Sequence, residues 1–399
     1  MLDPLAAEKL INAHLACLPI ESLPVGQCAG AVLRENIYAE RDQPPFDRVA
    51  MDGVALASSA LAGGRRRFRV QGTQAAGDAP ETLASAEYCV EVMTGTVLPS
   101  GCDTVVPVEM LHNHDGYVEL EDGLTLAPWS NVHRRASDRS QGALLLEVGI
   151  VLKAPEIAVA ASAGMARVRV SSQPAIVVIS TGNELIEPGD PIEPHQIRRS
   201  NAYAVAAALR QRGFHRVADD HVRDDIGQLR DRLRLHLDTH EVLILSGGVS
   251  MGRFDLVPKA LEEVGVHCVL HGIAQRPGRP MWYGASSEGH SVFALPGNPV
   301  STLICLVRYV VPALYRAMGV PVVPSERVAL AAAVQWPKAL TGFMPVRVAY
   351  DDWGRPWATP CPTNGSGDFA TLAMTDGFVE LPPGPADFAK GHVCRLFRW

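Results

Sequence analysis

From residue 171 onward the chain alternates between two hydrophobic rhythms. PAIVVIS and EVLILSGG are continuous apolar runs and predict strands buried on both faces. Between and after them, apolar residues recur at helical spacing. NAYAVAAALRQRG closes at Gly213, with Asn201 as its expected cap. IGQLRDRLRLHL places Ile226, Leu229, Leu233 and Leu237 at helical spacing, and FDLVPKALEEVG forms a third helix. HCVLHGI, PMWYG and SVFALPG predict further strands, and VSTLICLVRYVVPALYRAMG a long apolar helix. This alternation predicts a three-layer α/β sandwich with a mainly parallel sheet over residues 171–320.

Elsewhere short β-type runs prevail, split by Gly, Pro and Asp. RRFRVQGT, EYCVEVMTGT, DTVVPVEML and GYVELEDGLTLAP predict a β domain over residues 39–140. SERVALAAAVQW, FMPVRVAYD, WATPCP, GFVELPP and HVCRLFRW predict a small C-terminal β-barrel over residues 321–399. Residues 1–38 read as helix, loop and short helix, with Leu5, Leu10, Ile11 and Leu15 near one face. Residues 141–170 are mixed, with Pro155 in the first turn of a helix that Gly164 ends.

Composition narrows the class. A chain of 399 residues, 47% hydrophobic and 20% charged, is too long for one core and reads as a multidomain globular protein. The formal net charge of −7 argues against non-specific nucleic-acid binding. Arg65, Arg66 and Arg67 form the only dense basic run, read as a solvated loop before a strand. The eight cysteines are scattered without a CxxC, as expected of free thiols in a reducing compartment. The N-terminus lacks the apolar core of a signal peptide, and no apolar run approaches the roughly 20 residues of a membrane helix. The expectation is a cytoplasmic protein with no nucleic-acid or membrane partner.

Ligands of open parallel sheets bind beyond the carboxyl ends of the strands. Three loops fall there: STGNEL, SGGVSMGRFD and PGNPVS. Gly247 and Gly248 expose backbone amides, and the helices after Gly252 and Pro299 aim their positive ends at the same crevice, which makes an anion site. A bare tight turn and a capped helix start at Asn298 are the plainer readings of these loops. Glu184, Asp224 and Asp255 would repel each other at that edge without a cation; Asp224 alone could be a helix cap. Mg²⁺ takes one or two carboxylates with phosphate oxygens and water, so a magnesium site is the expectation. Arg276 and Arg279 flank a Pro-Gly turn and could grip an oxyanion in pairs, or lie on the surface. His112 and His114 at an expected loop tip do not amount to a zinc site.

SGGVSMGRFD with Lys259 downstream, STGNEL, PGNPVS, PPFDRVAMDG and VMTGTVLPSGCDTVVPVE resemble, in order, the motifs of the molybdopterin molybdenumtransferases of the MoeA and gephyrin E-domain type. The resemblance implies a Mg²⁺-dependent insertion of molybdate into adenylylated molybdopterin with release of AMP. It also implies a homodimer whose cleft joins the α/β domain of one subunit to the second domain of the other. Residues 1–38 and 141–170 would then form one discontinuous domain. Carried over by position, the site residues are Asp52, Thr94, Glu184, Asp224 and Asp255, the last three holding Mg²⁺. Gly182, Ser246, Gly247, Gly248, Ser250, Pro296, Gly297, Asn298 and Ser301 would bind the adenylylated pterin. Arg276, Arg279, Arg347 and Ser366 would bind molybdate. Two departures stand out: arginines occupy positions where family lysines are common, and Ala136-Ser137-Asp138 replaces a GED stretch. The adenylyltransferase that prepares the substrate, with which contact is expected along with the receiving molybdoenzymes, is one rival reading. A non-catalytic pterin-binding or scaffold protein is the other.

Overall fold

The computed structural model describes residues 1–249, 256–321, 325–336, 339–384 and 387–399. At its centre lies a six-stranded sheet in the order Val217–Val222, Ile176–Thr181, Val242–Ser246, Ser291–Leu295, Trp282–Ser286, Val266–His271. Ile176–Thr181, Val242–Ser246 and Ser291–Leu295 are buried along their whole length. Alternate side chains feed two separate cores. Ile176, Val178, Ile244, Phe293 and Leu295 pack with Val205 and Leu209 of the helix Ser200–Arg210 and with Leu306 and Tyr309. Val177, Ile179, Leu243, Leu245 and Val292 pack on the other face against Leu229 and Leu233 of Ile226–Leu237 and Val257 and Leu261 of Leu256–Glu263. This is the expected three-layer sandwich, each large apolar side chain contributing about 1.5–3 kcal/mol of burial.

The sheet is mixed rather than uniformly parallel. The first four strands in this order are parallel, but Trp282–Ser286 runs antiparallel to both its neighbours. Only Ser287 to His290 separate it from Ser291–Leu295, room for a hairpin and far short of a parallel crossover.

The helix Pro299–Ala317 has the length and mean hydropathy, 1.3, of a membrane span, contrary to the sequence reading; its apolar stretch is mostly buried inside the chain, as in a core helix. The N-terminal helix Pro4–Ala13 is capped by Asp3, whose carboxylate accepts from the amides of Leu5 and Ala6. Its buried residues are Pro4, Ala7 and Ile11, while Leu5 is exposed. In place of a second helix comes the strand Ile20–Pro24, paired antiparallel with Arg167–Ser171, and a single 3₁₀ turn. Pro155 and Gly164 do open and close a helix, Ala154–Ser162.

The β region holds a second six-stranded sheet, ordered Thr104–Pro107, Gly53–Leu56, Tyr88–Val92, Arg67–Gln74, Tyr117–Leu120, Leu111–His114. His112 and His114 thus lie on a strand, and His114 pairs with Glu119 at 3.4 Å. The C-terminal strands close into a five-stranded barrel, because Thr341–Tyr350 pairs with both Pro356–Pro360 and Gly377–Leu381. A short strand, Gln275–Arg276, adds in parallel to Thr341–Gly342 and ties the arginine turn to the barrel.

Candidate active site

Three loops meet at the carboxyl end of the central strands. Ile176–Thr181 hands over to Gly182, where an added Cβ would lie 2.6 Å from a Glu184 carboxylate oxygen. The φ of 146° at Gly182 is what favours glycine there, since the Glu184 carboxylate is the mobile end of a side chain. The Gly182 carbonyl accepts from His221 Nε2 at 2.8 Å, and Asn183 Oδ1 accepts from the amide of Asp224 at 3.3 Å. The two acidic loops are therefore bonded to one another. Asp224 does not cap the following helix; Asp225 does, accepting from the amide of Gln228.

The second loop begins at Ser246. Gly247 and Gly248 have φ of 103° and 65°, and a Cβ on Gly247 would lie 2.8 Å from the Thr181 carbonyl oxygen. The turn is pressed onto its neighbour strand as the glycines require. The amide of Gly247 is spent on the carbonyl of Leu295 at 3.2 Å, so it is not the free phosphate donor that the glycine pair promised. Ser250 and Asp255 lie outside the described residues.

In the third loop Gly297 stacks on Gly247, its added Cβ meeting the Gly247 Cα at 3.4 Å. Asn298 precedes the long helix but does not cap it with its side chain. Its Nδ2 instead donates to Ser366 Oγ at 2.7 Å, and Val300 donates its amide to the Ser366 carbonyl at 3.0 Å. The barrel is thus fastened to the loop.

These loops enclose a cleft of about 770 Å³ whose lining includes Gly182, Glu184, Asp224, Ser246, Gly247, Gly248, Pro296, Gly297 and Asn298. A second recess of about 530 Å³ shares Pro280, Pro296 and Asn298 with it and is lined by Arg276, Arg279, Ser301 and Ser366. The arginine turn is held tightly: an added Cβ on Gly278 would lie 2.6 Å from Cys305 Sγ, and Gln275 beneath is fully buried and accepts from the Tyr309 hydroxyl. Burial pushes the Cys305 thiol up to about 12, so the group beneath the turn stays a neutral thiol. Acids on one side and guanidiniums on the other suit a ligand that carries phosphate through a cation and an oxyanion directly.

Glu184 and Asp224 offer hard oxygen donors to one cleft, where Ser180 Oγ and Thr181 Oγ1 are buried without a partner. That donor chemistry fits Mg²⁺. Among the described residues no three of His, Cys, Asp or Glu gather into a metal cluster, so the other ligands would be phosphate and water, the habit of that ion.

Not every expected residue reaches these recesses within one chain. Arg347 lines neither, and its Nε donates to the Met374 carbonyl at 3.3 Å. Asp52 and Thr94 lie beside the strands Gly53–Leu56 and Tyr88–Val92 and bind each other. The sequence reading missed Asn201, expected as a helix cap: the cap position is Arg199, and Asn201 faces the cleft. It missed Arg199 as well, buried at the cleft wall and paired with Glu187 at 2.6 Å. The basic pair in IRRSN was the available signal.

The chain matches three family descriptions in order: "MoeA N-terminal region (domain I and II)" over residues 4–164, "Probable molybdopterin binding domain" over 177–316, and "MoeA C-terminal region (domain IV)" over 327–397. It is 38% identical over 400 residues to a molybdopterin molybdenumtransferase of Synechocystis sp., covering all of both chains. A molybdopterin molybdenumtransferase of Staphylococcus aureus is 30% identical, with 97% of this chain and 93% of that one covered. Among solved structures, a molybdopterin biosynthesis MoeA protein from Pyrococcus horikoshii superposes with a TM-score of 0.83 at 28% identity, over 100% and 99% of the two chains.

Proposed function

This chain belongs to the MoeA family and is a molybdopterin molybdenumtransferase of molybdenum cofactor biosynthesis; from that premise we propose that it inserts molybdate into adenylylated molybdopterin and releases AMP. The observation that carries the reading is the shared wall between two recesses of opposite character. Pro296 and Asn298 border both the cleft with Glu184 and Asp224 and the recess with Arg276 and Arg279.

Glu184 and Asp224 would hold Mg²⁺, which supplies charge neutralisation to a pyrophosphate when bound. Ser246 and Gly248 would border the phosphates. Arg276 and Arg279, with Ser301 and the Ser366 hydroxyl, would seat molybdate beside the dithiolene. Ser366 Oγ already accepts from Asn298, which leaves its own proton to donate to an oxyanion. Catalysis would rest on positioning and electrostatics, with no protein nucleophile.

Asp52 and Thr94 are supplied in this reading by the second subunit of a homodimer, completing the cleft over the phosphates. Arg347, whose Nε donates to the Met374 carbonyl, would approach molybdate from the barrel through its Nη groups. All eight cysteines are free, in keeping with a cytoplasmic, reducing setting. The test is to mix purified protein with adenylylated molybdopterin, Mg²⁺ and molybdate and to follow AMP. Release that depends on both Mg²⁺ and molybdate is expected; AMP released at the same rate without molybdate would refute insertion as the reaction.

A further inference from the structure

Asn201 sits at the point where the three loops converge. Its Nδ2 lies 2.9 Å from Ser246 Oγ, 2.7 Å from the Gly297 carbonyl and 3.2 Å from Thr302 Oγ1. A carbonyl oxygen only accepts, so the amide must present nitrogen to Gly297. Thr302 directs its own hydroxyl proton to the Pro296 carbonyl at 2.6 Å and so receives from Asn201. One amide group therefore ties the end of Val242–Ser246 to the PGNPVS loop, and its orientation is fixed on both sides. The consequence is that Oδ1 points elsewhere. It is buried without a hydrogen-bond partner, on a residue that lines the cleft. Ser180 Oγ and Thr181 Oγ1, which line the same cleft, are likewise buried without partners.

An acceptor left unmade in a buried position costs free energy that a ligand's donor can recover. A phosphate oxygen is itself an acceptor and would be repelled. We propose that Asn201 is a ligand-binding residue of the cleft and that its Oδ1 receives an N–H from the amino edge of a fused pyrimidine ring, with the Ser180 and Thr181 hydroxyls donating to ring acceptors beside it. This rests on the reading of the cleft above. Such an edge occurs on both halves of an adenylylated pterin, on the adenine and on the pterin itself, and the test separates them.

Binding of AMP and of neopterin, each with Mg²⁺, is measured by calorimetry for the wild type, N201A and N201D, with the melting temperature of each protein. N201A is expected to bind at least one probe about tenfold more weakly, with a lower melting temperature that still lies well above the binding temperature. Loss for AMP alone assigns the contact to the purine, and loss for neopterin alone to the pterin. Asp has the shape of Asn, so mere packing predicts that N201D binds as the wild type does at every pH. N201D keeps an acceptor for the ligand N–H but sets a carboxylate against the Gly297 carbonyl at pH 8, so its binding is expected to be weakened there and to recover toward the wild type as the pH falls and the carboxyl regains a proton to donate, while that of N201A stays level. N201S, with the same loss as N201A, replaces N201D should that variant not fold. N201A within twofold of wild type for both probes overturns the inference alone. A wild type that binds neither probe overturns the reading of the cleft and this inference with it.

Discussion

The carboxylate of Asp52 receives two hydrogen bonds from one residue, Thr94: the backbone amide at 2.6 Å and the hydroxyl at 2.7 Å, both on Oδ1. Hydrogen bonds to the charged form favour it, and this pair holds the Asp52 carboxyl below its ordinary value of 3.8. Asp52 therefore remains ionised at pH values where a free aspartate begins to take up a proton. Thr94→Val removes the hydroxyl and keeps the shape. Its Asp52 should titrate at higher pH than in the wild type, seen by NMR of the labelled carboxyl, and the acid limb of the activity profile should move the same way. An unmoved Asp52 titration would separate the two residues functionally.

Gly53, next to Asp52, lies against the neighbouring strand so closely that an added Cβ would be 1.9 Å from the Val106 carbonyl oxygen. In the sequence Asp52-Gly53 carries the signal of a turn and nothing of that contact. Gly53→Ala should cost at least about 3 kcal/mol, since either the Gly53–Leu56 pairing with Thr104–Pro107 or the motif geometry must yield. Thermal melting checks this, and a variant that melts with the wild type would show that the sheet accommodates the methyl.

Removing one cleft carboxylate while keeping its shape tests the cation. Glu184→Gln and Asp224→Asn should each raise the half-saturating Mg²⁺ concentration for AMP release by about tenfold or more, ~1.4 kcal/mol per decade. Molybdate dependence should change little, because the arginines border the other recess. Equal Mg²⁺ requirements in wild type and both variants would dismiss these acids as ligands.

These tests fall where reading the sequence was strong in kind and weak in partnership. The central strands were legible because a run such as IVVIST is apolar on both faces, and only a sheet covered twice can use it. The glycine turn and the arginine turn were legible by residue type. Whether an amide is free was not: Gly247 donates to Leu295, a residue remote in sequence. An Asn at the start of an apolar helix carries the same local signal whether it caps or, like Asn201 in the first turn, reaches across to two other loops. Ile20–Pro24 has no alternation, being exposed or half-buried throughout, so only its partner Arg167–Ser171 defines it as a strand. The bond between Asp52 and Thr94 spans two strands and leaves no periodic trace at all.

Arg276 and Arg279 stand where ammonium groups are common in the resembling family. A guanidinium offers a planar fork where an ammonium offers a point charge. Arg276→Ala should raise the half-saturating molybdate concentration about tenfold, and Arg276→Lys should fall between it and the wild type. AMP affinity should be nearly constant through the series. A series in which molybdate dependence stays flat and AMP affinity drops would move Arg276 from the oxyanion to the nucleotide.

Arg308 joins three parts of the molecule from one buried position. Its side chain is 1% exposed; Nη1 donates to Glu8 of the N-terminal helix at 2.7 Å, and Nε lies 3.4 Å from Glu380 of the barrel. The guanidinium also lies over the rings of Tyr309 and Phe397, at 5.0 and 5.2 Å. Deleting it would leave Glu8 without its buried partner and Glu380 with Arg395 alone, at 3.4 Å, a loss of up to about 3–5 kcal/mol for a buried pair. Arg308→Met keeps much of the volume and the ring contacts but not the charge, so it should lose less than Arg308→Ala. Because Glu8 and Glu380 sit on separate elements, the loss should appear as earlier release of the N-terminal helix and the barrel, read by hydrogen exchange alongside the melting temperature. An Arg308→Ala protein as stable as the wild type, with unchanged exchange in both elements, would mean that apolar packing alone holds them to the long helix.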